Sequence, residues 1–159
     1  MIKALFFDID GTLVSFNTHE IPQSTVDALE QAKKNGVGVY ISTGRPVKLI
    51  NNLHAIEHLI DGYITTNGAY SFIGDKVVSC VDIPLEDART LIRLADEMNF
   101  ATMVVGAKDL TVYHPDEMVD KVFRQLLNVS DLGEDISLDT VLSQPILQLT
   151  PIIDEQQEK

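Results

Sequence analysis

The chain has 159 residues, of which 24 are acidic and 12 are basic, so its formal net charge is −12. A field of this sign excludes nucleic acid and anionic membranes as favoured partners. Hydrophobic residues make up 45% of the chain and the mean hydropathy is +0.07, which is enough apolar surface to build a folded core. The single cysteine, Cys80, cannot form an internal disulfide, so we expect a small buried side chain in a cytoplasmic protein.

Strand and helix patterns alternate in the first third of the chain. Three segments are apolar at consecutive positions, which is typical of strands buried on both faces of a parallel sheet: Lys3 to Asp8, Val37 to Ser42 and Gly62 to Thr65. A helix is predicted between Pro22 and Gly36, and a second helix is predicted to begin at Pro46. This β-α-β-α-β order predicts a parallel sheet with right-handed crossovers.

The pattern changes to hairpins in the second half. Tyr70 to Ile73 and Lys76 to Ser79 flank Gly74-Asp75, a two-residue turn that predicts a hairpin. Beyond it we predict, in order, a helix, a second hairpin, a helix and a last strand: Pro84 to Met98, Thr102 to Val105 with Leu110 to Tyr113, a helix opening at Pro115, and Ile146 to Thr150. The change of pattern predicts two domains, residues 1–80 and 81–159.

The first candidate site follows the first predicted strand. Asp8 and Asp10 leave this strand two residues apart, so their side chains can point to one side and share a divalent cation, for which Mg²⁺ is suited. Gly11 allows a sharp turn, and the backbone amides as far as Thr12 can form an anion-binding nest. The alternative is that Asp10-Gly11 forms only a turn.

Two further polar motifs follow the second and third predicted strands. In Thr43-Gly44-Arg45, the hydroxyl can donate to a phosphoryl oxygen at a helix N-terminus, or Thr43 can cap that helix. Arg45 can bind phosphate or pair with an acid, and Asn67 can belong to the site or serve as a turn residue. Because parallel strands end at one edge of a sheet, we expect all three motifs to lie together.

With these motifs in place, the sequence resembles the haloacid dehalogenase-like (HAD) superfamily, and within it the Cof-type sugar-phosphate phosphatases. The motifs that carry the resemblance are Asp8-x-Asp10-Gly11-Thr12-Leu13, Ser42-Thr43-Gly44-Arg45 and the Asn67-Gly68-Ala69 turn. The resemblance implies an α/β fold with a Rossmann-like parallel-sheet core and an inserted α+β cap domain. Residues 1–80 would be the first part of this core, and residues 81–159 would be the cap.

The resemblance also implies a chemistry. Asp8 would be the nucleophile that forms an aspartyl-phosphate. Asp10 would protonate the leaving alcohol and then activate water. Mg²⁺ would bind the Asp8 carboxylate and the Asp10 backbone carbonyl, and Thr43 would hold the phosphoryl group of a small phosphorylated metabolite. The remaining site residues would shape the phosphate and substrate pocket: Gly11, Thr12, Gly44, Arg45 and Asn67.

The sequence departs from the family in one respect. Members carry a later lysine and a Gly-Asp-x-x-Asn-Asp motif, and neither is present in these 159 residues. We therefore expect an incomplete core, an exposed apolar sheet edge and weak or no activity of this chain alone. Two alternatives remain open: an inactive module that binds phosphate and Mg²⁺ or forms a homodimer through this edge, and a phosphohexomutase.

Overall fold

A computed structural model describes residues 1–126 and 129–153 of the chain. The chain divides into two compact units, Met1–Cys80 and Val81–Lys159, which are called unit 1 and unit 2 below. The division falls after the first hairpin, between Cys80 and Val81.

Unit 1 contains a five-stranded sheet in the order β1-β2-β3-β4-β5. The first three strands are parallel, and β4 and β5 extend the sheet as an antiparallel hairpin, as predicted. One α-helix, α1, connects β1 to β2. The elements of unit 1 are β1 (Ala4–Phe7), α1 (Gln23–Lys34), β2 (Gly38–Ser42), β3 (Gly62–Thr65), β4 (Tyr70–Ile73) and β5 (Lys76–Cys80).

The core of unit 1 lies between the parallel strands and the segments that connect them. Val39 and Ile41 of β2 are fully buried, and they pack in one cluster with Val26 and Leu29 of α1. Since β1, β2 and β3 are parallel and in register, their carboxyl ends lie at the same edge of the sheet. The polar motifs follow the three strands at that edge.

The helix predicted from Pro46 is wrong. The chain forms two three-residue 3₁₀ helices, Val47–Leu49 and Glu57–Leu59, separated by irregular backbone. Ile50 leaves the helical region at φ −89° and ψ 99°, and the two asparagines that follow it are poor helix formers. The apolar residues of this segment mark buried positions and not one face of a helix. The buried residues are Leu49, Leu53, Ile56 and Leu59.

Unit 2 contains an antiparallel sheet in the order β7-β6-β8, with the predicted second hairpin formed by β6 and β7. Every residue of the central strand β6 is buried, and α2 places Ala88, Ile92 and Ala95 in the core. The elements of unit 2 are α2 (Leu85–Met98), β6 (Ala101–Gly106), β7 (Leu110–Tyr113), α3 (Glu117–Val119, continued by a π-helix over Asp120–Leu126), α4 (Leu138–Leu142) and β8 (Ile146–Ile152).

Helix α4 was not predicted from the sequence. It has only five residues and begins after Ser137, whose hydroxyl accepts a hydrogen bond from the Thr140 amide. The segment is rich in acidic residues, a pattern that predicts a loop. The helix is stabilised instead by packing of the fully buried Val141.

Strand β5 differs from the other strands, because all five of its residues are exposed. Cys80 is therefore exposed and not buried as expected, since it lies at the end of a strand that has no neighbour on its outer side within the described residues. None of the helices described for this chain combines the length and the apolar character that a membrane-crossing segment requires.

Candidate active site

The three polar motifs meet at the carboxyl edge of the parallel strands in unit 1. Asp8 follows β1 directly, Thr43 follows β2, and Thr66 and Asn67 follow β3. The loops after β2 and β3 are joined by backbone hydrogen bonds from the Thr66 amide to the Arg45 carbonyl (3.1 Å) and from the Asn67 amide to the Thr43 carbonyl (3.3 Å). The expectation that these motifs lie together is confirmed.

Asp10 and Arg45 join the first motif to the second. The Arg45 Nε and Nη2 atoms each donate to one Asp10 carboxylate oxygen, both at 2.8 Å, which is the paired geometry that favours arginine. The Arg45 side chain is only 7% exposed and that of Asp10 is 25% exposed. Of the two roles left open for Arg45, the structure shows the pairing with an acid.

Arg45 is held in place from its other side as well. Its Nη1 atom donates to the Leu49 carbonyl at 2.7 Å and to Asn51 Oδ1 at 3.4 Å. These two acceptors were not identified from the sequence, because they are supplied by the irregular segment where a helix was predicted. In a continuous helix the Leu49 carbonyl would accept a hydrogen bond from the Leu53 amide, whereas here it accepts one from the guanidinium.

Asp8 is exposed, and its carboxylate accepts no hydrogen bond from the described residues. A charged oxygen at a strand end that is left to solvent suits a hard divalent cation such as Mg²⁺, which keeps several waters and needs few protein ligands. The Asp10 carbonyl is a second oxygen donor with no backbone amide bound to it among the described residues. The donor set therefore fits Mg²⁺, although no group of three or more metal-binding side chains occurs within residues 1–126 and 129–153.

The loop after β1 is closed by its own backbone. Gly11 has φ +75°, and its amide donates to the Val14 carbonyl at 2.9 Å, while the Thr12 amide donates to the Ile9 carbonyl at 3.2 Å. The anion-binding nest expected from the amides of Asp10 to Thr12 is not formed in this structure, because the loop itself uses the Gly11 and Thr12 amides. Thr12 remains exposed at the edge of the site.

Thr43 is buried, and its hydroxyl oxygen accepts a hydrogen bond from the Arg45 amide at 3.1 Å. The alternative that Thr43 caps a helix is wrong, because no α-helix follows and the 3₁₀ helix that begins at Val47 has no side-chain cap. For the same reason, the helix N-terminus expected to attract an anion here is absent. The hydroxyl proton of Thr43 remains available to a ligand.

The loop after β3 has an unusual backbone. Thr66 and Asn67 both have φ +53°, a left-handed conformation that is disfavoured for a β-branched residue such as threonine. The Thr66 side chain is 3% exposed, and its hydroxyl has no hydrogen-bond partner within the described residues. Asn67 lies against Gly44, where an added Cβ would come within 2.9 Å of Asn67 Oδ1, so a larger residue at position 44 would displace the Asn67 side chain.

A separate cavity of about 240 Å³ lies in unit 1 beside the loop that holds Arg45. It contains none of the predicted site residues. Burial, and then the nearby Glu57 carboxylate, raises the pKa of Tyr63 in its wall. The cavity is mostly apolar, and its lining residues are Val47, Ile50, Asn51, Leu53, His54, Glu57, Tyr63 and Phe72.

Comparison with known proteins supports the resemblance drawn from the motifs. The sequence pattern of the haloacid dehalogenase-like hydrolases matches residues 5–159. The chain belongs to this family. The α/β fold with a parallel-containing sheet is confirmed by the solved structures that the chain resembles.

Two solved structures and one curated relative illustrate this similarity. A structure described as showing a conserved trigonal-bipyramidal intermediate in a phosphoryl-transfer superfamily is 42% identical with a TM-score of 0.89, over 99% of this chain and 61% of the other. The HAD subclass IIB sugar phosphatase BT4131 is 43% identical with a TM-score of 0.86, over 98% and 60%. YxeH of Bacillus subtilis, a candidate phosphatase, is 29% identical over 89% of this chain and 57% of its own length. The chain thus spans about three fifths of the length of these proteins.

Proposed function

We propose that the protein is a Mg²⁺-dependent phosphomonoesterase that hydrolyses a small phosphorylated metabolite, with sugar phosphates as the substrate class. The observation that carries this proposal is the exposed Asp8 carboxylate at the end of β1, two residues before an aspartate that a buried arginine holds in place. Similarity to the subclass IIB sugar phosphatase BT4131 supports the choice of sugar phosphates.

Asp8 and Asp10 divide the reaction into two displacements. An Asp8 carboxylate oxygen attacks phosphorus, the bond to the ester oxygen breaks, and the leaving alkoxide takes a proton from Asp10, which gives an alcohol and an aspartyl-phosphate. Water then attacks this phosphorus, its proton passes to Asp10, and the bond to Asp8 breaks, which releases inorganic phosphate and restores Asp8. Arg45 donates hydrogen bonds to both Asp10 carboxyl oxygens and so fixes the orientation of the group that transfers these protons.

The other site residues bind and orient the phosphoryl group. The Thr43 hydroxyl oxygen is fixed by the Arg45 amide, so its proton is directed away from that bond and can be donated to a phosphoryl oxygen. Asn67 and Thr12 are exposed at the same edge and offer further polar groups. The Asp8 carboxylate and the Asp10 carbonyl would hold Mg²⁺, which supplies positive charge to the transferring phosphoryl group.

The first test is release of phosphate from an aryl phosphate, with and without Mg²⁺. We expect Asp8→Asn to abolish Mg²⁺-dependent release, a loss of about 10³-fold or more for a covalent nucleophile. Asp75→Asn is the matched control, since Asp75 is an exposed carboxylate in the β4–β5 turn, and we expect it to leave the rate unchanged. Release that persists in Asp8→Asn would contradict the assignment. In a separate assay with a hexose phosphate and a bisphosphate activator, formation of an isomerised sugar phosphate would indicate a mutase.

A second measurement does not depend on turnover. Beryllium fluoride mimics a phosphoryl group on an aspartate, so we expect a bound ¹⁹F resonance that requires both Mg²⁺ and Asp8. The resonance should be lost in Asp8→Asn and retained in Asp75→Asn. No resonance in the folded wild-type chain would contradict Asp8 as the acceptor of the phosphoryl group.

The exposed strand β5 favours a second candidate function, formation of a homodimer by strand pairing. Val77 and Val78 are about half exposed on an edge strand, and such edges pair readily with another chain. Sedimentation velocity tests this: Val78→Lys should shift a dimer to monomer, whereas Leu94→Lys on α2 should not. A wild-type chain that sediments as a monomer would contradict the pairing.

A further inference from the structure

Arg45 does more to Asp10 than hold it in place for the proposed function. Both carboxylate oxygens of Asp10 are bound to the guanidinium at 2.8 Å, and the opposite side of Arg45 is bound to the Leu49 carbonyl and to Asn51. Rotation of the buried guanidinium would break these bonds together. A lysine could not replace it, because an ammonium group lacks the planar pair of donors.

We propose that Arg45 sets the affinity of the site for its divalent cation by withholding the Asp10 carboxylate from the cation. This inference rests on the proposed Mg²⁺ site at Asp8. While the pair is intact, Asp10 offers the cation only its backbone carbonyl, and Asp8 supplies a carboxylate. A site with one carboxylate fewer binds Mg²⁺ more weakly and depends more on the phosphate of the substrate as a further ligand.

This arrangement couples the binding of cation and substrate. A phosphate ester adds negative oxygens at a site where Arg45 withholds one carboxylate. The cation and the phosphate ester therefore each increase the affinity of the site for the other by the same factor. Arg45 is therefore a positioning residue rather than a direct ligand of phosphate. Four of its donor contacts are made to protein acceptors: two to Asp10, one to Leu49 and one to Asn51.

The test is the binding of Mn²⁺, used as a spectroscopic substitute for Mg²⁺ and measured by electron paramagnetic resonance without phosphate. We expect Arg45→Gln to bind Mn²⁺ about tenfold more tightly than the wild type, because a second carboxylate becomes a ligand. Arg45→Lys keeps the positive charge but loses the planar pair of donors, so its affinity should lie between the two. Adding Asp10→Asn to Arg45→Gln should return the affinity to the wild-type value.

Four controls separate the possible results. Arg89→Gln removes an exposed arginine of unit 2 that pairs with Glu86, and it should leave Mn²⁺ binding unchanged. Circular dichroism of each variant confirms that it is folded, and the double variant restores charge balance at the site. Asp8→Asn should abolish binding in every background.

Two outcomes are distinguishable. Wild-type binding that Asp8→Asn does not affect would overturn the proposed function, because the cation would then lie elsewhere. Wild-type binding that requires Asp8, with no gain in Arg45→Gln or with a gain that persists when Asp10→Asn is added, would overturn the role of Arg45 alone. Addition of inorganic phosphate supplies a second readout: it should tighten Mn²⁺ binding more in the wild type than in Arg45→Gln.

Discussion

Arg45 in unit 1 and Arg124 in unit 2 both bind acidic side chains, but in opposite surroundings. Arg45 is buried and donates to both oxygens of one carboxylate. Arg124 is exposed and divides its donors between Asp120, Glu134 and the Ser130 carbonyl. A hydrogen bond from the Glu134 backbone amide, and to a smaller extent one from the Arg124 guanidinium, holds the pKa of the Glu134 carboxyl below its usual range.

The difference reflects how each unit is built. Parallel strands in unit 1 bring loops together at one edge, so charged residues there become buried against each other. Antiparallel strands in unit 2 enclose an apolar centre at β6, and polar clusters such as Asp96 with Tyr113 and His114 stay at the surface. Unit 1 therefore buries a charge pair at a candidate site, whereas the polar clusters of unit 2 stay exposed.

The largest expected effect tests the backbone packing of unit 2. A Cβ at Gly133 would lie 2.0 Å from the Leu110 carbonyl oxygen, at φ +71°, so Gly133→Ala must displace main chain. We expect a loss of about 3 kcal/mol or more in the free energy of unfolding. Gly36→Ala in unit 1 is the matched control, because its φ of +74° carries the same backbone penalty with no atom within 4 Å, and it should cost about 1 kcal/mol. Denaturant unfolding of both variants tests this prediction. Equal losses in the free energy of unfolding would contradict a clash at Gly133.

The next effect sharpens the contrast between the two arginines. Arg45→Met leaves the Asp10 carboxylate half-buried without its partner, and we expect a loss of about 2–3 kcal/mol in the free energy of unfolding. Arg124→Met should produce a smaller loss, because solvent screens its exposed partners. If thermal unfolding shows the same loss for both variants, burial is not what distinguishes the two arginines.

The smallest effect concerns acid stability. Burial would raise the pKa of Asp61, but hydrogen bonds from Lys33 (2.5 Å) and from the Val39 amide (2.8 Å) outweigh it and hold the pKa below its ordinary value. A lowered pKa stabilises the fold at pH values above the ordinary pKa of about 4. This stabilisation is lost as the pH falls through the folded-state pKa. Asp61→Asn should therefore cost about 1 kcal/mol near pH 7, with allowance for partial exposure, and almost nothing near pH 2.

Asp96 provides the comparison for this last prediction. Hydrogen bonds from Tyr113 and then His114 lower the pKa of its carboxyl, so the sign of the pH dependence is the same as for Asp61. Because Asp96 is exposed, Asp96→Asn should give a weaker pH dependence than Asp61→Asn in urea unfolding from pH 2 to pH 7. A stronger dependence for Asp96 would contradict the view that unit 2 gains little from its charges.

The sequence predicts most strands and the meeting of the three motifs, since consecutive apolar residues and strand order determine both. It does not predict the segment after Pro46, because the pattern of buried leucines and isoleucines fits a helix as well as an irregular chain packed on a sheet. The Arg45–Asp10 pair depends on that segment. Thr12 and Thr43 were placed by motif, but which of their hydrogen-bonding groups remain available depends on loop closure, and the residue pattern does not encode it.

Thr66 has a consequence for how this protein could be altered. A β-branched residue in a left-handed conformation and a buried hydroxyl with no hydrogen-bond partner among the described residues each destabilise the folded state by about 1–3 kcal/mol. Glycine at this position would relieve both penalties, so a screen for heat-resistant variants should select changes at Thr66 early. The same variants would loosen the loop that holds Asn67 against Gly44, and thermal robustness would then be gained at the expense of precision at the carboxyl edge.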